Sequence, residues 1–142
     1  MKIKIKSHAD GLILPTRIMV GDWIDLRAAE RIEIPKDTFY PISLGVGMKL
    51  PEGYEAHIIP RSSTFANFGI IMANGIGVID NSYCGDGDIW HFPAFALRDG
   101  IVRFNDRICQ FRIVKKQPNF EFCPVVQLGC TNRGGLGSKG TK

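Results

Sequence analysis

Several short stretches of this chain gather the residue types that do chemistry. In Ala73 to Gly85, ANGIGVIDNSYCG, the apolar run Gly77-Val78-Ile79 delivers Asp80 to the edge of a turn, and Tyr83 follows three residues on. A carboxylate so placed can act as a general base or hold a cation. Asn74 offers donors and an acceptor to the edge of a nucleobase, and Gly75 and Gly77 let a backbone approach a flat ligand closely. An ordinary hairpin, with Asp80 capping the turn and Tyr83 packed, accounts for the same residues. In Ile59 to Phe65, IPRSSTF, the planar cation of Arg61 and the hydroxyls of Ser62 and Ser63 suit a phosphate, or equally a solvated loop or helix cap. In Gly21 to Leu26, GDWIDL, Asp25 stands between apolar residues, where a carboxylate needs a partner or a hydrated metal. In Asn105 to Phe111, NDRICQF, Gln110 falls on the strand face that Arg112 also occupies.

Such groups need a scaffold, and the hydrophobic periodicity is that of strands. Lys2 to Lys6, Arg31 to Ile34 and Arg107 to Val114 alternate with period two. In the last of these, Cys109, Phe111 and Ile113 share one face, and Ile108, Gln110, Arg112 and Val114 the other. Turn-forming clusters such as Pro51-Glu52-Gly53, Gly85-Asp86-Gly87 and Arg98-Asp99-Gly100 punctuate the runs. Many short strands between turns predict an all-β sandwich, barrel or jelly roll. The best place for a helical turn is Ser62 to Phe68, which opens on capping hydroxyls and ends before Gly69.

The chain has 142 residues, 44% of them hydrophobic, which suffices for one self-contained core. No apolar run approaches the length of a membrane span, and the Lys–Ile alternation of the first six residues suits a strand rather than a signal peptide. Cys84, Cys109, Cys123 and Cys130 lack the close spacing of a zinc knuckle or redox pair, so reduced thiols in a cytoplasmic protein are expected. The net charge of +4 comes from 18 Lys and Arg that never cluster beyond the pair Lys115-Lys116. That pattern suits a polyphosphate at least as well as a duplex, and no stable nucleic-acid binding is expected.

The end of the chain, Thr131 to Lys142, reads TNRGGLGSKGTK. Its GxGxxG string lacks the flanking strand and helix of a dinucleotide site, and its Lys stands on the wrong side of the final Gly for a P-loop. A disordered end and an anion clamp built on unobstructed amides with Arg133, Ser138 and Lys139 both remain open.

Taken in order, GDWIDL, PRSSTF, GVIDNSYCG, NDRICQF and RGGLGSKG resemble the five motifs of the trimeric dUTPases, with GDWIDLRAAE and NDRICQFRI most similar to those of Gram-positive bacteria and their phages. The resemblance implies a distorted jelly-roll β-barrel over residues 1–130, very little helix, and a flexible glycine-rich tail, 131–142, that closes over a neighbouring subunit's site. It implies a homotrimer with shared active sites and hydrolysis of dUTP to dUMP and pyrophosphate. Asp80 would activate the water that attacks the α-phosphorus. Mg2+ would be held mainly by the phosphates, with Asp25 meeting it through water. Ser62 and Ser63 would bind phosphate oxygens, Gln110 the α-phosphate, and Arg133, Gly134, Gly135, Leu136, Gly137 and Ser138 the γ end. Arg61 would be a phosphate contact or a structural ion-pair partner. Asn74, with backbone near Gly77, Val78, Ile79 and Trp90, would read uracil, and Tyr83 would lie against the deoxyribose.

Three positions depart from the family pattern. Leu136 stands where many members carry an aromatic lid over the uracil, so an aromatic from Trp90, His91 or Phe92, with His91 the most exposed by alternation, is expected to replace it. Lys139 replaces a small hydroxyl residue, and Tyr83 to Asp88 makes a longer turn than usual. A dCTP deaminase relative would need a catalytic Glu that no motif supplies. A phage-type regulatory role, binding a repressor protein, is compatible with the sequence.

Overall fold

The computed structural model describes residues 1–137 and 139–141, and within them eleven strands and one short helix follow in order. They are β1 (Lys4–Ser7), β2 (Ile24–Arg27), β3 (Ile32–Ile34), β4 (Phe39–Ser43), β5 (Val46–Lys49), β6 (Tyr54–Pro60), α1 (Thr64–Phe68), β7 (Ile70–Met72), β8 (Gly77–Ile79), β9 (His91–Ala96), β10 (Gly100–Val102) and β11 (Arg107–Lys115). All pairings are antiparallel, in a four-stranded sheet β2-β11-β6-β8, a three-stranded sheet β4-β9-β7, and the two pairs β1-β5 and β3-β10. The expected all-β class with little helix is what the chain adopts. No helix among the described residues is long and apolar enough to cross a membrane.

The core follows from alternation. Phe92, Ala94 and Ala96 of β9 are buried, while His91 is exposed and Pro93 and Phe95 only partly covered. Trp90, wholly buried, meets Phe111 of β11 edge to face with ring centroids 5.5 Å apart, and so joins the two larger sheets. The alternation in β11 breaks at one point. A register shift between Arg107 and Cys109 lets the neighbours Ile108 and Cys109 both turn inward. Burial pushes the Cys109 thiol well above its ordinary value, with the nearby Asp25 carboxylate adding to the effect, so it is an inert core group.

The helical turn ends as expected, on Gly69 in the left-handed region (φ 67°), whose N–H donates to Phe65 O. It begins differently. Ser63 makes no side-chain cap; instead buried Thr64 accepts from the Arg61 N–H at 2.8 Å and donates to Ile108 O at 2.8 Å. One hydroxyl thereby ties the PRSST turn to β11 and leaves the serines without capping duty.

Beyond β11 the chain is different in kind. From Gln117 onward every described residue is exposed and none is in a strand. This arm carries Phe120, Phe122, Val125, Val126 and Leu128 in the open, the two Phe rings meeting edge to face with centroids 5.0 Å apart.

Candidate functional site

The register of β11 assembles the first group of site residues. Gln110 stands opposite Asp25 of β2 on one side and Ile59 of β6 on the other, and Cys109 stands opposite Pro60. Arg61, next in the chain, therefore arrives beside Asp25. Its Nε donates to Asp25 Oδ1 at 2.8 Å, and its Nη1 reaches Arg107 O at 3.3 Å and Ser63 Oγ at 3.4 Å. Arg107 Nη1 takes the other oxygen, Oδ2, at 3.3 Å. Gln110 Nε2 donates to Pro60 O at 3.2 Å.

These residues line a cavity of about 430 Å³. Asp25, Arg27, Arg61, Ser62, Arg107 and Gln110 form its polar wall, and Trp23 with the segment around Ile13 to Ile18 forms the rest. Three guanidiniums face one carboxylate, so the cavity attracts an anion of several charges. Arg27 and Arg107 were missed in the sequence, although Arg27 lies two residues after Asp25 and so returns to the same strand face. Arg112, by contrast, stacks 5.5 Å from the Trp23 ring centroid and pairs with Asp22 at 3.0 Å, outside the cavity wall.

Whether the cavity suits a metal depends on its donors. Among the described residues no three His, Cys, Asp or Glu side chains cluster as a metal cage. Asp25 is the one carboxylate on the lining, and both its oxygens are bonded to guanidinium groups. The donor set fits a hard cation that brings its own oxygen ligands, with Asp25 reaching it through water.

The second group lies elsewhere. Asp80 directly follows β8, which lies three strand spacings across the sheet from β2, or about 14 Å at the usual separation. Its Oδ1 accepts from Ser82 N at 2.8 Å, and its Oδ2 pairs with Lys116 Nζ at 2.7 Å. The Lys116 ammonium, then the Ser82 amide, hold the Asp80 carboxyl well below the usual carboxylate range. Tyr83 Oη donates to Ile89 O at 3.2 Å, and His91 Nδ1 meets the same carbonyl at 2.8 Å. Tyr83 and the exposed His91 thus converge on one backbone oxygen.

Other expectations change. Asn74 is exposed, but β7 and β8 belong to different sheets, so it sits on a crossover and not at the tip of a hairpin. Gly75 has φ 71°, which the crossover turn requires. Gly77 is bare for packing: a Cβ there would come within 2.9 Å of Met72 Cε and 3.3 Å of Ile58 Cβ. Val78 is exposed and Ile79 half-buried. Trp90 cannot offer its indole to a ligand, because the ring is enclosed, and both its main-chain groups are used, N–H to Val46 O and C=O from Leu44 N. Arg133, Gly134, Gly135, Leu136 and Gly137 are exposed on the arm, and the expectation for Ser138 lies outside the described residues.

The chain resembles known proteins both in sequence and in fold. The family model described as dUTPase matches residues 22–142. The SPbeta prophage-derived deoxyuridine 5'-triphosphate nucleotidohydrolase YosS of Bacillus subtilis is 56% identical over the whole of both chains. The Finegoldia magna deoxyuridine 5'-triphosphate nucleotidohydrolase is 34% identical over 99% of each. In fold, the dUTPase of Staphylococcus bacteriophage 80alpha superposes with a TM-score of 0.77 at 17% identity, covering 98% of both chains.

Proposed function

The chain belongs to the dUTPase family, and we propose that it hydrolyses dUTP to dUMP and pyrophosphate, limiting uracil in DNA and supplying dUMP for thymidylate synthesis. The observation that carries this reading is the basic cavity in which strand register gathers Asp25, Arg61, Ser62 and Gln110. A triphosphate brings several negative charges, and the guanidiniums of Arg27, Arg61 and Arg107 offset them. Ser62 and Gln110 donate to phosphate oxygens, Ser63 lends its hydroxyl from the same turn, and Arg61 serves mainly to hold Asp25 in place. Magnesium, when bound, neutralises phosphate charge, and Asp25 would hold it through water. Asp80 accepts a proton from the attacking water as its oxygen bonds to the α-phosphorus, and the bond to the bridging oxygen of pyrophosphate breaks. Tyr83 backs the deoxyribose, and Asn74 with the Gly77 to Ile79 backbone reads uracil.

Within one chain the two groups lie three strand spacings apart across the sheet and four residues apart along it, which supports a site shared between chains. The reading is therefore a homotrimer of jelly-roll barrels with shared sites, in which the arm crosses to a neighbour and its residues 131–142 close on the phosphates. His91, exposed beside Tyr83, takes the lid position that Leu136 leaves without an aromatic ring.

Pyrophosphate release tests the reading, with dUTP, dTTP, dCTP and UTP compared in the presence of magnesium. Turnover confined to dUTP, and lost in Asp80→Asn, is expected. A folded wild-type protein that leaves dUTP intact would refute it.

A further inference from the structure

We propose that Lys116, which belongs to none of the five motifs, is the positioning residue for Asp80, fixing the carboxylate's orientation and keeping it ionised beside a polyanionic substrate. The inference rests on the reading of Asp80 as the base and goes beyond it.

The geometry is specific at both ends. Asp80 receives Ser82 N at 2.8 Å on Oδ1 and Lys116 Nζ at 2.7 Å on Oδ2, so its plane is set from two separate parts of the chain. Lys116 is fixed in turn: its Nζ also donates to Asn81 Oδ1, and its main-chain N–H donates to Gly53 O at 2.9 Å. It stands just past β11, where the arm departs, and alternation from Arg112 and Val114 brings it to their face of the sheet. Its side chain is 32% exposed against 52% for Asp80, so the lysine is the better-held partner of the two.

The other charged groups facing Asp80 come from β6. The Ala56–Ile79 pairing makes Glu55 next in register to Asp80, and Glu55 is engaged with His57 at 2.7 Å. Lys116 is the cation that Asp80 meets. A triphosphate close by opposes ionisation of Asp80, because like charges push a carboxyl toward its neutral form. A protonated Asp80 cannot take a proton from water. The ammonium offsets this effect at the cost of some basicity, and holding the base in line with the attacking water is the larger gain.

The full-length wild type, Lys116→Met and Lys116→Arg are to be compared in two ways. Carboxyl NMR follows the titration of Asp80 without any need for turnover, and steady-state kinetics with dUTP follows kcat and KM. In Lys116→Met the Asp80 midpoint should rise by at least about one pH unit, and kcat should fall about tenfold with KM within about twofold. Lys116→Arg should recover most of both. An Asp80 titration identical in Lys116→Met and wild type overturns the proposal, as does an unchanged kcat. Loss of both properties in Lys116→Met with no recovery in a folded Lys116→Arg also overturns it. Absence of turnover in the wild type would instead refute the hydrolase reading, and the NMR titration would still judge the pair.

Discussion

The double-mutant cycle of Arg61→Met and Asp25→Asn separates two roles for Arg61. If Arg61 is mainly the clamp on Asp25, the two side chains must be coupled in the free protein. A hydrogen bond to a charged group contributes roughly 1.5–3 kcal/mol when shielded, whereas an exposed ion pair contributes about 0.2–1 kcal/mol. The pair lies between these limits, with Arg61 22% and Asp25 31% exposed and a 2.8 Å contact. Arg107, at 3.3 Å on the other oxygen, remains to shield Asp25 when Arg61 is lost, which lowers the cost. A coupling of about 1–1.5 kcal/mol is expected on these grounds. Urea unfolding at pH 7 and one fixed protomer concentration measures it, since a self-associating chain shifts its apparent stability with concentration. Additivity within about 0.3 kcal/mol would refute the argument and would leave the Arg61 guanidinium free for phosphate.

Three further outcomes are expected. Deleting residues 131–142 should abolish dUTP turnover while far-UV circular dichroism stays unchanged, because the described residues of that stretch form no strand. Trp90→Phe should lower the melting temperature by several degrees while KM for dUTP stays within about twofold, since the indole packs on Phe111 and cannot reach a ligand; a tenfold rise in KM would restore it as a contact. Tyr40 donates to Glu30 Oε2 at 3.0 Å, and that bond, then burial, raises the phenol above its ordinary value of 10.0. A raised value in the folded state gives stability that is complete below pH 10 and lost as pH rises above it, so alkaline denaturation should be shallower in Tyr40→Phe than in wild type.

Local patterns made much of this molecule legible. Period-two alternation located β11, and Gly69 marked the end of α1 because only a left-handed residue could follow there. The residues that differed did so through partners far along the chain. Thr64 rather than a serine carries the hydroxyl that ties this turn down, because Ile108 O lies within its reach, and the bulge that turns Ile108 and Cys109 inward has no sequence signature. Gly77 was read as letting a ligand approach the backbone, and Met72 and Ile58 give a second reason, invisible in the sequence, for its having no side chain. Asp80 and Asp25 were identified by residue type and setting. Their cations, Lys116 and Arg61, stand 36 positions away in each case, a separation at which no periodic pattern reaches.

The apolar arm that follows β11 has a consequence for biosynthesis. It leaves the ribosome after every strand has emerged, so it cannot compete with the strands for pairing partners while the body of the protein folds. Folding of the body is first order, whereas in the proposed trimer the burial of Phe120, Phe122, Val126 and Leu128 waits on an encounter with another copy. On that reading newly made chains pass through an interval, longer at low expression, in which they are folded yet sticky, and their fate in it is decided by how many sister chains are nearby.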